Sequence, residues 1–248
     1  MSILLTGWEG TVGSHLLEYL KDKGYEVTTF EGDICEWDNW IKYVDRNWDG
    51  LIHLAAIPGV RRSFEEPEFY YKNNVEGTAN AIQFADTVCN KMLYASSSNS
   101  YEWWGNPYAA TKRMNELQAK GHRAVGMRFH TVWPGRPDML FQKLVNDEVT
   151  YINENHYRDW IHVDDLCEAI CTIYENFDII LKSDPVIDIG TGHSTPVAEV
   201  ARVMGFDGEY RKVDPAGERK KTQANVEPLL KLGWTPKRNI LNEARNFK

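Results

Sequence analysis

Short apolar runs alternate with stretches of helical period through the first half of the chain. "ILLTG" at 3–7, "YEVTTF" at 25–30, "GLIHLAA" at 50–56, "KMLYASS" at 91–97 and "RAVGMRF" at 123–129 each carry too few residues for a helix and read as strands, the first of them buried. Between them, 14–24, 38–47, 74–88 and 106–120 place apolar residues three and four apart, the spacing of one helix face. Strand–helix alternation of this kind predicts an α/β fold, a doubly wound parallel sheet with right-handed crossovers and helices on both faces. Only a few residues separate the second strand from the helix pattern at 38–47, so one strand–helix pair of the usual series is trimmed. From about residue 133 the period breaks at "WPGRPD". Short strands (150–153, 186–189, 209–213) and helices (139–147, 164–176, 195–204, 225–232) follow. They predict a small C-terminal α/β subdomain, with residues 1–132 as the main domain, a possible return of the chain to it after 155, and 133–248 mainly as the second part.

A length of 248 residues suits one large domain with an appendage, and 42% hydrophobic with 26% charged residues is ordinary for a globular chain. The formal net charge of −8 speaks against nucleic-acid or anionic-membrane binding, which usually shows a basic face. No apolar run reaches the roughly 18 residues of a membrane span, and "MSILLTG" enters a strand without a basic leader, so neither a membrane anchor nor a signal peptide is expected. Four cysteines (Cys35, Cys89, Cys167, Cys171) are too few for a disulfide scaffold, and a reducing, cytoplasmic setting is the expectation. Cys167 and Cys171 lack further ligands at metal-binding spacing and read as core residues, so no metal is expected. His53 and His162 read as structural.

Two stretches carry chemistry. "TGWEGTVGSHL" sets Gly7, Gly10 and Gly13 at G-x-x-G-x-x-G between a strand and a helix, with Thr11 and Val12 opening the helix. Such a turn lets the backbone approach a pyrophosphate and aims unpaired N–H groups and the positive helix end at it. An acid about 20 residues on binds the adenosine ribose of NAD and repels the 2′-phosphate of NADP. Glu31 stands there, with Asp33 close enough to compete. In "YASSSNSYEWWGNPYAATK", Tyr108 and Lys112 lie four apart and so share one helix face. A lysine ammonium beside a phenol whose ordinary pKa is near 10 favours the phenolate, which can take a proton from a sugar hydroxyl. A serine at the end of the preceding strand can hydrogen-bond the same hydroxyl.

These stretches occur in order with "HLAA" (53–56) and "NNVEGT" (73–78). Together they resemble the extended short-chain dehydrogenase/reductase family, the NAD-dependent epimerases and dehydratases of nucleotide sugars. The resemblance implies a Rossmann-type domain with a small substrate-binding subdomain and NAD as cofactor. It makes Tyr108 the acid/base, Lys112 the residue that lowers its pKa and holds the nicotinamide ribose, and Ser97 the strand-end hydroxyl, counted back four residues from Tyr101. It puts Leu54, Ala55 and Ala56 along the cofactor, Asp33 and Ile34 at the adenine, and Asn74 between helix and cofactor. "GVRRSFEEPEFYYKNNVEGT" (59–78) and "RFHTVWPGRPDM" (128–139) look most like UDP-glucuronate 4-epimerases, and "RDWIHVDD" (158–165) is general to the nucleotide-sugar branch. By this likeness Ser98, Thr131, Arg136 and Arg158 join Ser97 around a UDP-sugar, with Arg158 on the pyrophosphate. The Asp-Glu pair of the dehydratases is replaced by Ser98 and Asn99. The connection "EWWGNP" is shorter than in relatives, Pro215 stands where a phosphate-binding arginine is usual, and Trp103 and Trp104 form either a lid over the sugar or a packed loop. A homodimer through helices at about 66–90 and 106–120 is implied. The expected activity is an NAD-dependent UDP-sugar 4-epimerase, with a nucleotide-sugar oxidoreductase or a non-catalytic NAD-binding scaffold as alternatives.

Overall fold

In a computed structural model, which describes residues 1–247, the strands are β1 (Ser2–Thr6), β2 (Glu26–Thr29), β3 (Gly50–His53), β4 (Met92–Ser97), β5 (Ala124–Phe129), β6 (Thr131–Trp133), β7 (Tyr151–Asn153), β8 (Tyr157–His162), β9 (Val186–Ile189), β10 (Ser194–Pro196) and β11 (Glu209–Arg211). Six of them form one parallel sheet in the order β2-β1-β3-β4-β5-β9. The chain steps from β1 outward to β2 and then crosses to β3 on the other side of β1. Strand order therefore reverses at β1, and the crevice beyond the carboxyl ends of β1 and β3 is the place where open α/β sheets bind ligands. Only β2 lies outside β1 in this sheet.

The chain divides into two compact units, Met1–Arg128 with Ile170–Ile187, and Phe129–Ala169 with the residues from Asp188 onward. In the first, β1 is sealed on both faces, with Ile3, Leu4 and Leu5 fully buried. Leu16, Leu17 and Leu20 supply the buried stripe of the helix Thr11–Asp22. Each such side chain contributes roughly 1.5–3 kcal/mol on burial. Between the sheet and the helix Gly77–Val88 lies an aromatic core. Phe30 and Trp40 rings stand 4.3 Å apart, Trp40 and Phe84 5.1 Å. The Trp40 indole N–H donates to Ile34 O at 2.8 Å, so the buried ring leaves no polar atom unpaired.

Uniform helical period over 74–88 predicts a single helix, but residues Tyr71–Glu76 wind as a π-helix before α geometry resumes at Gly77. Two side-chain demands coincide there. Asn74 turns inward to grip the backbone of Ile57, and Gly77 packs on Ile34, where an added Cβ would come within 2.5 Å of Ile34 Cδ1. One extra residue in the turn lets both faces be met. The "DNWIKYVDRN" helix is also shorter than its period suggests, Trp37–Ile41, because the chain turns back to place Trp48 in the core.

The second unit holds a three-stranded sheet β10-β8-β6, a parallel pair β11-β7, and a core around Trp133, Phe141, Leu144, Trp160 and Val200. Asp159 is its polar knot. The fully buried carboxylate accepts from Thr191 N (2.6 Å), Thr191 Oγ1 (2.8 Å), Gly192 N (2.9 Å) and Ala224 N (3.0 Å). Asp165 accepts from Lys237 N and Arg238 N at 2.9 and 2.8 Å. Two acids of "RDWIHVDD" thus tie the loops 190–192 and 237–238 to β8 and its following helix. His162 receives Asp164 N–H at 3.1 Å and packs edge-on against Trp133 at 4.5 Å, a structural role. Cys167 and Cys171 are buried free thiols, and among the described residues no cluster of His, Cys, Asp or Glu could hold a metal. No helix among the described residues is long and apolar enough to cross a membrane.

Candidate active site

The glycine loop needs its glycines for close approach. Gly7 lies in the left-handed region at φ +70°, and a Cβ there would stand 2.5 Å from Ala55 N and 2.7 Å from Leu54 C. Both adjoin the end of β3. A Cβ on Gly13 would lie 2.1 Å from Gly7 O, so the first helical turn rests directly on the loop backbone. Gly10 precedes the helix in extended geometry and has no side-chain cap, so the N–H groups at Thr11 and Val12 are unshielded by any side chain of the cap residue. Leu54 N donates to Thr6 O at 3.2 Å and Ala55 N to Thr6 Oγ1 at 3.2 Å, which pins the two loops together.

A groove of about 260 Å³ opens here, lined by Gly7, Glu31, Asp33, Ile34, Ala55 and Ala56 among others. The groove brings together six residues expected at the cofactor. Glu31 is exposed at its lip and accepts from Thr29 Oγ1 at 3.0 Å, while Asp33 Oδ1 is taken by Cys35 N at 2.9 Å. Each carboxylate has one oxygen engaged in this way, so both acids keep acceptor capacity for a ligand. Asn74 is not part of this lining. Its Oδ1 accepts from Ile57 N at 2.7 Å, and its Nδ2 donates to Ile57 O and Thr111 Oγ1 at 3.0 Å each. Both amide protons are used, so Asn74 positions the loop after β3 and the Pro107–Gln118 helix.

Ser97 ends β4 and is buried. Its Oγ accepts from Asn99 N at 3.2 Å and Asn99 Nδ2 at 3.3 Å, and its hydroxyl proton has no acceptor in that arrangement. Ser98, also buried, is the next residue. The helix Pro107–Gln118 begins at Asn106, whose Oδ1 caps Ala109 N at 2.7 Å, and Pro107 stands at its first position. This start sets Tyr108 in the first turn, half-buried, its ring edge-on to Tyr70 at 6.3 Å. Lys112 follows one turn later, 3% exposed, with Nζ donating to Ala95 O at 3.0 Å and lying 6.0 Å from the Tyr108 ring centre. Burial lowers the Lys112 ammonium to about 8. It remains mostly protonated at neutral pH and is starved of counter-charge, so a phenolate beside it is favoured.

His53, at the end of β3, is drawn down to about 3 by burial and then by the charge of Lys112. It stays neutral, bonded to Thr6 Oγ1 at 2.8 Å and Thr78 Oγ1 at 3.3 Å. Trp103 and Trp104 are 49% and 71% exposed and touch each other edge-on at 6.0 Å, so these two rings are not packed into the core.

Thr131, Arg136 and Arg158 belong to the second unit. Thr131 opens β6, half-buried. Arg136 is clamped by both oxygens of Asp138 at 2.9 Å. Arg158 donates to Tyr157 O at 2.9 Å and Lys220 O at 3.3 Å, with Glu218 3.8 Å away. Burial lowers its guanidinium pKa, which Glu218 partly offsets. One group escaped the sequence reading: Glu116, four residues beyond Lys112 and held by Arg113 and Arg128. Its signal was the continuation of the four-residue spacing past Lys112.

The family model described as the NAD dependent epimerase/dehydratase family matches residues 3–190. The chain belongs to this family. It is similar to Protein CapI of Staphylococcus aureus, 33% identical with 100% of this chain and 97% of the relative covered. It is also similar to a probable UDP-glucuronate 4-epimerase of Rhizobium meliloti, 29% identical over 68% of this chain and 67% of that one. The fold matches a UDP-glucuronic acid 4-epimerase from Bacillus cereus, solved with NAD and a 4-deoxy-4-fluoro UDP-glucuronic acid, at TM-score 0.82 and 24% identity, covering 99% and 97% of the two chains. The residues present fit the family's NAD. The Gly7–Gly13 approach would be filled by any Cβ, the first helix offers its N-terminus, and Glu31 presents an acid beside the groove.

Proposed function

We propose that this protein is an NAD-dependent nucleotide-sugar 4-epimerase acting on a UDP-sugar, with UDP-glucuronate the first candidate. The observation that carries the reading is the buried Lys112 ammonium, tied to Ala95 O and set one turn from Tyr108 at the end of the strand that delivers Ser97. NAD, when bound, supplies hydride acceptance and return at carbon 4 of the sugar. Tyr108, as phenolate, takes the proton of the carbon-4 hydroxyl and gives it back after the ring has turned. Lys112 holds that phenolate by charge, and Ser97 orients the hydroxyl through the proton its Asn99 bonds leave unspent. Ser98 and Thr131 are assigned to the sugar, Arg136 and Arg158 to the UDP, where guanidinium forks suit phosphate oxygens. Leu54, Ala55 and Ala56 flank NAD, and Ile34 with Asp33 lies against its adenine. Ser98 and Asn99 offer no carboxylate to remove water from the sugar, which supports epimerisation over dehydration. The likeness to a probable UDP-glucuronate 4-epimerase supports the substrate class.

The test is incubation of the protein with NAD⁺ and a panel of UDP-sugars, with products separated by chromatography. Conversion of UDP-glucuronate to its 4-epimer, without net change at the nicotinamide absorbance, is expected. Tyr108→Phe should lower turnover about 10²–10⁴-fold while NAD still binds. Every sugar recovered unchanged refutes the proposal, and stoichiometric NADH formation moves it to a net oxidoreductase.

A further inference from the structure

The helix Pro107–Gln118 carries a further buried polar residue in register with the two assigned above. Tyr108, Lys112 and Glu116 recur every four residues and so lie along one stripe. Each of the last two grips a successive residue of β4: Lys112 Nζ donates to Ala95 O at 3.0 Å, and Ser96 Oγ donates to Glu116 Oε1 at 2.7 Å. The next residue is Ser97. Neighbouring strand residues point to opposite faces, so Ser96 turned toward Glu116 leaves Ser97 turned away from it.

Glu116 is bound from every side. Its Oε1 also accepts from Ser100 Oγ and Arg128 Nε, both at 2.7 Å, and its Oε2 from Arg128 Nη2 and Arg113 Nη1, both at 2.8 Å. The side chain is 2% exposed. Burial alone would raise its carboxyl; the bonds from Arg128, Ser100, Ser96 and Arg113 outweigh that and hold it below the usual range. Arg128 extends the cluster, donating from Nε to Ser100 Oγ at 3.1 Å and standing 4.3 Å over the Tyr101 ring. Five charge-assisted or hydroxyl bonds on one carboxylate thus join the helix, the end of β4, the turn Ser98–Gly105 and β5.

We infer that Glu116 is a positioning residue for the Ser97–Tyr108–Lys112 centre, fixing the register of the helix on β4 so that Lys112 stays beside Tyr108 and Ser97 faces away from the anchor. The inference rests on the assignment of Tyr108 and Lys112 made above. The lever is mechanical rather than coulombic. Removing the anchor lets the helix shift on β4, so that Lys112 Nζ loses Ala95 O and its side chain is free to swing from Tyr108, which raises the phenol pKa. Removing only a negative charge would uncover Arg113 and Arg128 and lower it.

The experiment reads the Tyr108 phenol by ultraviolet difference titration of the full chain with NAD, taking Tyr108→Phe as the blank, in wild type, Glu116→Gln and Ser96→Ala. Glu116→Gln is expected to raise the Tyr108 midpoint by about one pH unit. Ser96→Ala, which keeps the carboxylate on its arginines and serves should Glu116→Gln not fold, is expected to raise it by less. Midpoints equal to or below wild type in the folded variants overturn the inference, as does a wild-type midpoint near the free-phenol value of about 10. UDP-sugar turnover is measured separately. A wild type that titrates as expected but converts no sugar fails the proposed function and leaves this inference standing. In an active enzyme, Glu116→Gln should lower kcat about tenfold with KM nearly unchanged, since the loss is of alignment in the transition state.

Discussion

Lys112→Met isolates the cost of burying a charge at the centre of the site. The ammonium is pushed from 10.5 to about 8 with burial as the cause. At about 1.4 kcal/mol per pH unit, keeping that group protonated in the folded chain costs roughly 3 kcal/mol at pH 7. The sign follows from proton counting. Between pH 8 and 10.5 the unfolded chain holds the lysine proton and the folded chain does not, so wild-type stability gains with pH across that window. Methionine fills similar volume and carries no charge, though it leaves Ala95 O without its 3.0 Å donor, a loss of about 1–3 kcal/mol at any pH. That loss is pH-independent, so it does not disturb the slope. Urea unfolding of the apo chain, followed by tryptophan fluorescence from pH 7 to 10.5, gives the stability of variant and wild type at each pH. The stability of Lys112→Met minus that of wild type should fall by about 3 kcal/mol over the range, because only wild type recovers the burial cost. Titrations shared by both chains cancel. A difference that stays flat with pH would refute the claim that Lys112 is held as a desolvated cation.

His53 works at the acid side: its folded pKa of about 3, set by burial and then by Lys112, lies below the ordinary 6.5. Stability from keeping it neutral is full above pH 6.5 and is lost as pH falls toward 3, roughly 5 kcal/mol in all, so His53→Gln should flatten acid unfolding followed by circular dichroism. Gly13→Ala would set a Cβ 2.1 Å from Gly7 O, and the loop must shift; NAD affinity should drop about tenfold or more in a calorimetric titration, with wild-type affinity counting against the loop's role. Asn74→Ala leaves the Ile57 N–H and C=O and the Thr111 hydroxyl without their buried partner. It should cost about 2–4 kcal/mol in denaturant unfolding, and an unchanged midpoint would contradict the clamp.

Much of the fold was legible because its strands are local facts. "ILLTG" and "GLIHLAA" are buried on both faces, so their composition alone marks them as interior strands, and the glycines between them report a backbone approach that no side chain tolerates. The Tyr108–Lys112 pair was legible for the same reason, since four-residue spacing fixes a shared face on any helix. The partners of Asn74 were not legible, because Ile57 and Thr111 lie 17 and 37 residues away. Glu116 looked like an ordinary helix-face acid until Arg128, twelve residues on and in another element, came to it. The π-turn at Tyr71–Glu76 left no periodic trace, because it answers packing demands on both sides rather than local propensity. By itself the sequence determined the strand order's ingredients, the glycine loop and the shared helix face of Tyr108 and Lys112. Tertiary structure alone decided which polar groups are buried and with whom they bond. The electrostatics of the site follow from that, since a charge's energy depends on its desolvation and its partners across the fold, and neither is encoded in spacing along the chain.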